Sequence, residues 1–226
     1  MREEPPVSAS ADPAGFICGN TVLGTAPLVD EIELYLAHET QPLWMATEAE
    51  LDVYGLPAPY WAFAWAGGQA IARYILDHPE TVRGKRVFDF ASGSGLVAIA
   101  AIMAGAASVT ANDIDPFAIT AMALNASANE VSITTEAQDL IGDPLDDVDI
   151  VLAGDVCYEQ PMADRTITWL RGLANTGKPV LLGDPGRAYL PRDGMEWVIR
   201  YGIMESSAVE DTDARNAIVW RLTPDP

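Results

Sequence analysis

The chain has 226 residues, of which 49% are hydrophobic and 20% charged, and this composition excludes global disorder and fits one α/β domain with an N-terminal extension. Asp and Glu number 33 against 13 Lys and Arg, which gives a formal net charge of −20. Such a surface repels phosphate backbones and anionic membranes and attracts basic surfaces of other proteins. We therefore predict no nucleic-acid partner. The two cysteines are too few for a disulfide framework.

The N-terminal segment has no signature of secretion. Met1–Pro6 is acidic and rich in proline, and no apolar stretch follows it. No part of the chain approaches the ~20 uninterrupted apolar residues of a membrane helix, so we expect a cytoplasmic protein without membrane contact. Because residues 1–15 show no periodicity, we predict a flexible arm over residues 1–30 and a single domain over residues 31–226.

Two elements are predicted before the regular part of the chain. Residues 31–36 alternate polar and apolar side chains, which is typical of a half-buried strand. Residues 69–77 have an apolar helical face. Between them, an aromatic cluster over residues 60–65 leads into Gly67 and Gly68.

From residue 85 onward, predicted strands alternate with predicted helices. The strands are predicted at 86–91, 108–112, 131–137, 149–153 and 179–183, and the helices at 96–104, 117–129, 160–174 and 194–201. This alternation predicts βαβ units and a parallel sheet. Two last strands, at 203–210 and 216–222, have no helix between them and must form a hairpin. Six parallel strands and an antiparallel last strand describe a Rossmann-like α/β fold with a seven-stranded sheet.

A glycine-rich turn follows the first strand of this sheet. Gly93 and Gly95 lack a Cβ, so the backbone can approach a ligand closely at the switch point of the sheet. Asp113 ends the next strand, at the place from which a carboxylate reaches the ribose of a bound nucleoside. Asp89 would repel a pyrophosphate, and Ala98 replaces the third glycine of the dinucleotide fingerprint. We therefore predict a cationic nucleoside without phosphate, S-adenosylmethionine. The alternative is that both glycines only form a tight turn.

Asp139 and Leu140 follow the third strand of the predicted sheet. This position suits contact with the amino group and ring of an adenine. A solvated loop acid is an alternative for Asp139, because other acids stand nearby in the sequence.

The exit of the fourth strand has an acid, Asp155, followed three residues later by Tyr158. Methyltransferases that act on planar nitrogens often have Asn-Pro-Pro-Tyr here, which this chain lacks. A carboxylate and an aromatic wall suit an amine that arrives as an ammonium ion. Desolvation and a neighbouring sulfonium would lower the pKa of a lysine there. Alternatively, Asp155 caps the following helix and Tyr158 packs in the core.

Five segments together resemble the electron transfer flavoprotein β-subunit lysine methyltransferases, a branch of the seven-β-strand class. They are Pro59–Ala70, Asp89–Gly95, Ala111–Pro116, Asp155–Tyr158 and Gly183–Arg187. The resemblance implies S-adenosylmethionine as methyl donor, with S-adenosylhomocysteine as product, and protein lysine ε-amines as acceptors, with the flavoprotein β subunit as the expected substrate. It implies that Asp155 and Tyr158 face the lysine. The predicted donor site comprises Trp65, Asp89, Ala91, Ser92, Gly93, Gly95, Asp113, Ile114, Asp139 and Leu140, without a metal ion.

Three alternatives to this function stay open. Methyltransferases of ribosomal proteins share the Gly-Ser-Gly loop and Asp-Ile-Asp-Pro, but they usually have an Asn-led motif where Asp155 stands. Another protein or a small amine is a second possible acceptor. A non-catalytic nucleoside-binding scaffold is the third. A role for Arg187 at the substrate entrance is also left open, and we expect a monomer.

Overall fold

A computed structural model describes residues 12–37, 58–203 and 216–225. The helices are α1 (Pro13–Asn20), α2 (Ala66–Asp77), α3 (Leu96–Met103), α4 (Pro116–Ala128) and α5 (Gln160–Asn175), with short 3-10 turns at Tyr60–Ala62 and Pro79–Thr81. The strands are β1 (Val22–Ala26), β2 (Val29–Leu36), β3 (Arg86–Phe90), β4 (Ser108–Asn112), β5 (Thr134–Glu136), β6 (Ile150–Gly154), β7 (Val180–Asp184), β8 (Met195–Gly202) and β9 (Asn216–Leu222). Within these ranges, no helix is both long enough and apolar enough to cross a bilayer.

Seven strands form one sheet in the order β5-β4-β3-β6-β7-β9-β8. Strands β3 to β7 pair in parallel, and β9 lies antiparallel between β7 and β8. The predicted α/β fold with an antiparallel last strand is confirmed. Helices α2 and α3 contribute to the core on one face of the sheet, and α5 contributes to the core on the other face. The chain order reverses at β3, so a ligand crevice is expected beyond the carboxyl ends of β3, β4 and β6.

Two predictions at the end of the sheet were wrong: the helix at 194–201, and the start of the next strand at residue 203, because Ile203 follows β8 and is not part of a strand. Residues 194–201 do not form a helix, because Met195–Gly202 is strand β8, paired with β9 along its length. The register shifts between Trp197 and Ile199, and such a bulge interrupts the alternation of apolar residues. The resulting spacing of Met195, Val198 and Ile199 imitates a helical face. Residues 204–210 of the predicted strand lie outside the described residues.

Helix α1 and the β1–β2 hairpin occupy a region that includes part of the predicted flexible arm. Ile17 of α1 is fully buried, and the backbone N–H of Tyr35 donates to Oδ1 of Asn125 on α4 at 2.7 Å. An eight-residue helix is too short to give a clear periodicity, so the sequence pattern predicts no element there. The division of the chain at residue 30 stays a prediction, and residues 1–11 lie outside the described residues.

Helix α2 begins directly on the ends of β6 and β7, where two glycines permit backbone contact. A Cβ on Gly67 would lie 2.1 Å from the carbonyl oxygen of Gly183, and a Cβ on Gly183 would lie 2.1 Å from the carbonyl oxygen of Gly67. Backbone atoms in a parallel sheet and a packed helix cannot move aside as a flexible side chain can. Glycine at these two positions therefore fixes the start of α2 against the sheet.

We expect Gly183→Ala to lower the free energy of unfolding by about 3 kcal/mol, because the added methyl group overpacks this contact. The matched control is Gly172→Ala, at an exposed position inside α5 where a built Cβ meets nothing within 4 Å. That change should raise stability by about 1 kcal/mol through helix propensity. Urea unfolding of both variants measures the difference. Equal stabilities of the two variants would contradict the contact between Gly67 and Gly183.

Candidate functional site

The loop from β3 to α3 turns through three residues with positive φ: Ala91 at 51°, Gly93 at 54° and Gly95 at 83°. A Cβ on Gly95 would lie 3.1 Å from Cγ of Met122, so helix α4 packs closely against the loop there. At Gly93, a built Cβ meets nothing nearer than 3.9 Å. Cα of Trp61 and the carbonyl oxygen of Tyr60 lie at van der Waals distance from that built Cβ, so this side of Gly93 faces the Tyr60–Ala62 turn. Contact between Gly93 and a donor stays a prediction.

Asp113, at the end of β4, is bonded to this loop. Its Oδ2 accepts the backbone N–H of Gly93 at 2.9 Å, and its Oδ1 accepts the N–H of Asp115 at 3.0 Å. Burial raises the pKa of Asp113, and these backbone hydrogen bonds oppose that effect. Each carboxylate oxygen can accept a second hydrogen bond. The arrangement therefore fits the two adjacent hydroxyls of a ribose.

Asp89 lies beneath the loop and is 1% exposed. Its Oδ2 accepts a short hydrogen bond from the Ser92 hydroxyl. Burial raises the pKa of Asp89 to about 7, the Ser92 hydrogen bond opposes that effect, and the charge of Asp113 adds to it. A bound cation would offset the cost of ionising this carboxyl group. These residues therefore fit a cationic nucleoside better than a phosphorylated one.

Asp139, Leu140 and Ile114 lie at the border of this loop region. The carboxylate of Asp139 is 52% exposed and pairs with Arg165 at 3.2 Å. Leu140 packs against the core that contains α5, and Ile114 is 70% exposed. Asp139 thus has the partner expected of a loop acid, and its assignment to the donor stays a prediction.

Asp155 leaves β6 with a φ of 57° and is 8% exposed. Its Oδ2 accepts the N–H of Gly68 at 2.9 Å, and its Oδ1 accepts Nη2 of Arg187 at 2.9 Å and Nε at 3.2 Å. Burial raises the pKa of Asp155, while the Arg187 charge opposes that effect. The carboxylate points to α2 and Arg187, and the N-cap residue of α5 is Glu159. The capping role considered for Asp155 is therefore wrong.

Arg187 occupies one of the two features that the sequence assigned to an incoming ammonium, the Asp155 carboxylate. Its guanidinium pairs with Asp155, and its Cζ lies 5.4 Å from the centroid of the Trp65 ring. Oδ1 of Asp184 accepts the backbone N–H groups of Gly186 and Arg187, each at 2.7 Å. Burial raises the pKa of Asp184 to about 6. Arg187 is thus held beside Asp155, through a contact between residues that are 32 positions apart in the sequence.

Tyr158 presents an exposed ring beside Asp155. It is 39% exposed, and its ring centroid lies 5.3 Å from that of Tyr60. Burial raises the pKa of Tyr158 to about 12, so its hydroxyl is protonated at neutral pH. The ring centroid of Tyr60 in turn lies 5.9 Å from that of Trp65. Tyr60 belongs to the aromatic cluster over residues 60–65 and is not among the site residues predicted from the sequence.

A family model and solved structures show the class of protein to which this fold belongs. The family model for ribosomal protein L11 methyltransferase (PrmA) matches residues 73–156. The structure resembles the ribosomal protein L11 methylase of Lactobacillus delbrueckii subsp. bulgaricus with a TM-score of 0.51 and 23% identity, over 72% of this chain and 81% of that one. It also resembles magnesium protoporphyrin IX methyltransferase from Synechocystis PCC 6803 with bound SAM, with a TM-score of 0.51 and 17% identity, over 79% and 85% of the two chains. The fold is that of the methyltransferases.

Sequence relatives define the family. The electron transfer flavoprotein beta subunit lysine methyltransferase of Xenopus laevis is 37% identical over 98% of this chain and 91% of its own length. The Homo sapiens protein of the same name is 37% identical over 92% of this chain and 81% of its own length. The Caenorhabditis elegans homolog is 32% identical over 83% and 82%. The chain belongs to the electron transfer flavoprotein beta subunit lysine methyltransferase family, which confirms the resemblance found in the sequence.

Proposed function

We propose that this chain is an S-adenosylmethionine-dependent protein-lysine N-methyltransferase whose acceptor is the β subunit of electron transfer flavoprotein. The observation that carries the proposal is that one edge of the sheet holds two pairs of residues, one suited to the methyl donor and one to the acceptor. The Gly93–Asp113 pair fits the nucleoside, and Asp155 and Tyr158 stand on a neighbouring strand exit. Family relatives named for this reaction match nearly the whole chain. The formal net charge of −20 also favours a lysine-rich docking surface.

On the donor side, S-adenosylmethionine supplies a methyl group on a sulfonium. Asp113 would accept hydrogen bonds from the ribose hydroxyls, and the buried Asp89 would face the cationic part of the donor. Because Gly93 has no side chain, its backbone would allow close approach of the donor. The other residues of the proposed donor site are Trp65, Ala91, Ser92, Gly95, Ile114, Asp139 and Leu140.

On the acceptor side, Asp155 and Tyr158 would bound the entrance for the lysine. Asp155 already accepts hydrogen bonds from Gly68 and Arg187, so we assign it the task of holding these two groups in place. Tyr158 would contact the lysine side chain. Because its hydroxyl is protonated at neutral pH, Tyr158 does not serve as the base that deprotonates the amine. Desolvation of the ammonium favours loss of its proton, and positioning of the neutral amine then limits the rate.

A ribosomal protein is the second candidate acceptor. The observation in its favour is the match of residues 73–156 to the family model for ribosomal protein L11 methyltransferase. That segment contains the donor loop and ends one residue after Asp155, so it supports a shared donor site more than a shared acceptor. The alternatives of a small amine and of a non-catalytic scaffold have no comparable observation in their favour.

Labelled S-adenosylmethionine tests the proposed acceptor. The purified chain should transfer label to the β subunit of electron transfer flavoprotein and leave ribosomal protein L11 unlabelled. Omission of the chain provides the background, and calorimetry checks separately that the donor binds. Label on L11 alone would replace the proposed substrate by the second candidate. Donor binding without label on any acceptor would favour a non-catalytic scaffold.

Donor affinity is expected to rise about tenfold between pH 5.5 and pH 7. The pKa of Asp89 is raised to about 7, so the fraction of ionised carboxylate, which is the form that attracts a cation, grows steadily over this range. The raised pKa of Asp113 acts in the same direction. Calorimetry of donor binding at several pH values measures the trend, and Asp89→Asn should flatten it. The same slope in that variant would remove Asp89 from the donor site.

Three further expectations stay predictions. They are the cytoplasmic location, the monomeric state and the absence of a nucleic-acid partner.

A further inference from the structure

We propose that Tyr60 binds the acceptor lysine, forming with Trp65 and Tyr158 an aromatic slot that keeps the side chain in place through successive methylations. The proposal rests on the proposed function and goes beyond it. It adds an acceptor-binding residue and concerns the number of methyl groups transferred.

The three rings of the aromatic slot are neighbours. The Tyr60 centroid lies 5.3 Å from that of Tyr158 with the planes at 52°, and 5.9 Å from that of Trp65 with the planes at 62°. Tyr60 is 47% exposed and Tyr158 is 39% exposed. Rings tilted in this way leave aromatic faces available to another group, and their exposure makes those faces accessible from solvent.

The aromatic slot lies between the two halves of the site. A Cβ on Gly93 would be 4.0 Å from the carbonyl oxygen of Tyr60, which places the residue beside the donor loop. On the other side, Trp65 contacts the guanidinium that pairs with Asp155. An amine that receives a methyl group from a donor on the Gly93 loop would therefore arrive next to Tyr60.

One ring of the slot already contacts a cation, since Cζ of Arg187 lies 5.4 Å from the centroid of the Trp65 ring. Aromatic faces attract ammonium ions through the ring quadrupole, and they also bind quaternary ammonium groups that have no N–H. A site that relied on N–H hydrogen bonds would lose a contact with each methyl group added. An aromatic site keeps its attraction, because a methylated lysine at neutral pH is still a cation.

Each round transfers one methyl group from the sulfonium of the donor to the lysine nitrogen. The neutral Nζ forms the new N–C bond with its lone pair, the electrons of the broken C–S bond stay on sulfur as S-adenosylhomocysteine is formed, and Nζ becomes positively charged. Before another round this nitrogen must release a proton to water. The substrate side chain therefore needs to stay bound as a cation between rounds, which is the task we assign to Tyr60.

The Tyr60 ring can be removed without removing the hydrogen bond that holds the Trp65 indole. The indole N–H of Trp65 donates to the backbone carbonyl of Tyr60 at 2.8 Å, and that bond does not depend on the Tyr60 side chain. Tyr60→Ala removes the ring, and Tyr60→Phe keeps it. Trp197→Ala is the control, because Trp197 is an aromatic residue, 58% exposed, on the edge strand β8.

The experiment has two measurements. Saturation-transfer NMR uses the tetramethylammonium ion as a probe of the aromatic slot, with S-adenosylhomocysteine present. Mass spectrometry then follows the methyl groups added to the flavoprotein β subunit. In the wild type, in Tyr60→Phe and in Trp197→Ala, we expect saturation transfer to the probe and the same methylation products. In Tyr60→Ala we expect loss of the probe signal, a KM for the acceptor at least about tenfold higher, and accumulation of the lowest methylation state. Donor affinity should change less than about twofold.

The outcomes separate the two proposals. A wild type that gives no saturation transfer, or a Tyr60→Ala variant with unchanged probe binding and unchanged products, overturns the aromatic slot. Equal losses in Tyr60→Phe and Tyr60→Ala would assign the effect to the hydroxyl and also overturn it. Saturation transfer that depends on the Tyr60 ring, without methylation of the flavoprotein, would leave the slot in place and reject the proposed substrate.

Discussion

Asp155→Ala is expected to lower methyl transfer by about 100-fold or more and to change donor affinity by less than about threefold. In the structure this carboxylate holds the N–H of Gly68 and the guanidinium of Arg187. Its loss removes the hydrogen bond to Gly68 at the start of α2 and the ion pair that holds Arg187. A displacement of about 1 Å between reacting groups is enough to cause an effect of this size.

The measurement is the initial rate of label transfer, with donor binding followed in parallel by calorimetry. Asp147→Ala is a matched control, because that acid is fully exposed and pairs with Arg86 at the surface. Thermal unfolding of each variant separates loss of folding from loss of function. A folded Asp155→Ala variant with the wild-type rate would remove Asp155 from the acceptor site.

Asp113→Ala should weaken donor binding by about 100-fold. Two hydrogen bonds from ribose hydroxyls to a carboxylate contribute together about 3 kcal/mol, which corresponds to that factor. The substitution also leaves the N–H of Gly93 without its acceptor at 2.9 Å, so the loop loses part of its shape. Both effects act in the same direction.

Calorimetry with S-adenosylmethionine and with S-adenosylhomocysteine measures this loss. Asp113→Asn keeps one acceptor oxygen and the size of the side chain, so it should fall between the wild type and Asp113→Ala. Asp139→Ala provides a comparison, and a smaller effect is expected there because Asp139 is half exposed and paired with Arg165. Wild-type affinity in Asp113→Ala would disprove the ribose assignment.

Much of the sheet could be predicted because its strands are short apolar runs. Four of the five residues of β6 are buried, and all five of β7 are, as expected for strands covered on both faces. The proximity of Gly93 and Asp113 was predictable for a related reason. Gly93 and Asp113 follow adjacent parallel strands, and the ends of such strands meet at one edge.

The features that the sequence did not reveal depend on contacts between distant segments. Strand β8 was read as a helix because its bulge disturbs the two-residue period. The sequence leaves the role of Arg187 open and does not single out Tyr60, and the structure places these residues against Asp155 and Tyr158. A loop arginine and an aromatic residue near a proline give no periodic signal, so single-sequence patterns do not report these pairings.

Peptide mass mapping of the flavoprotein β subunit tests the central claim most directly. The purified β subunit is incubated with the chain and S-adenosylmethionine, and Asp113→Ala serves as the donor-deficient control. We predict mass increments of one to three methyl groups on a lysine side chain with the wild type and far fewer with the control. An unmodified β subunit, in the presence of confirmed donor binding, would contradict the account: the fold and the donor would stand, and the proposed acceptor would be rejected.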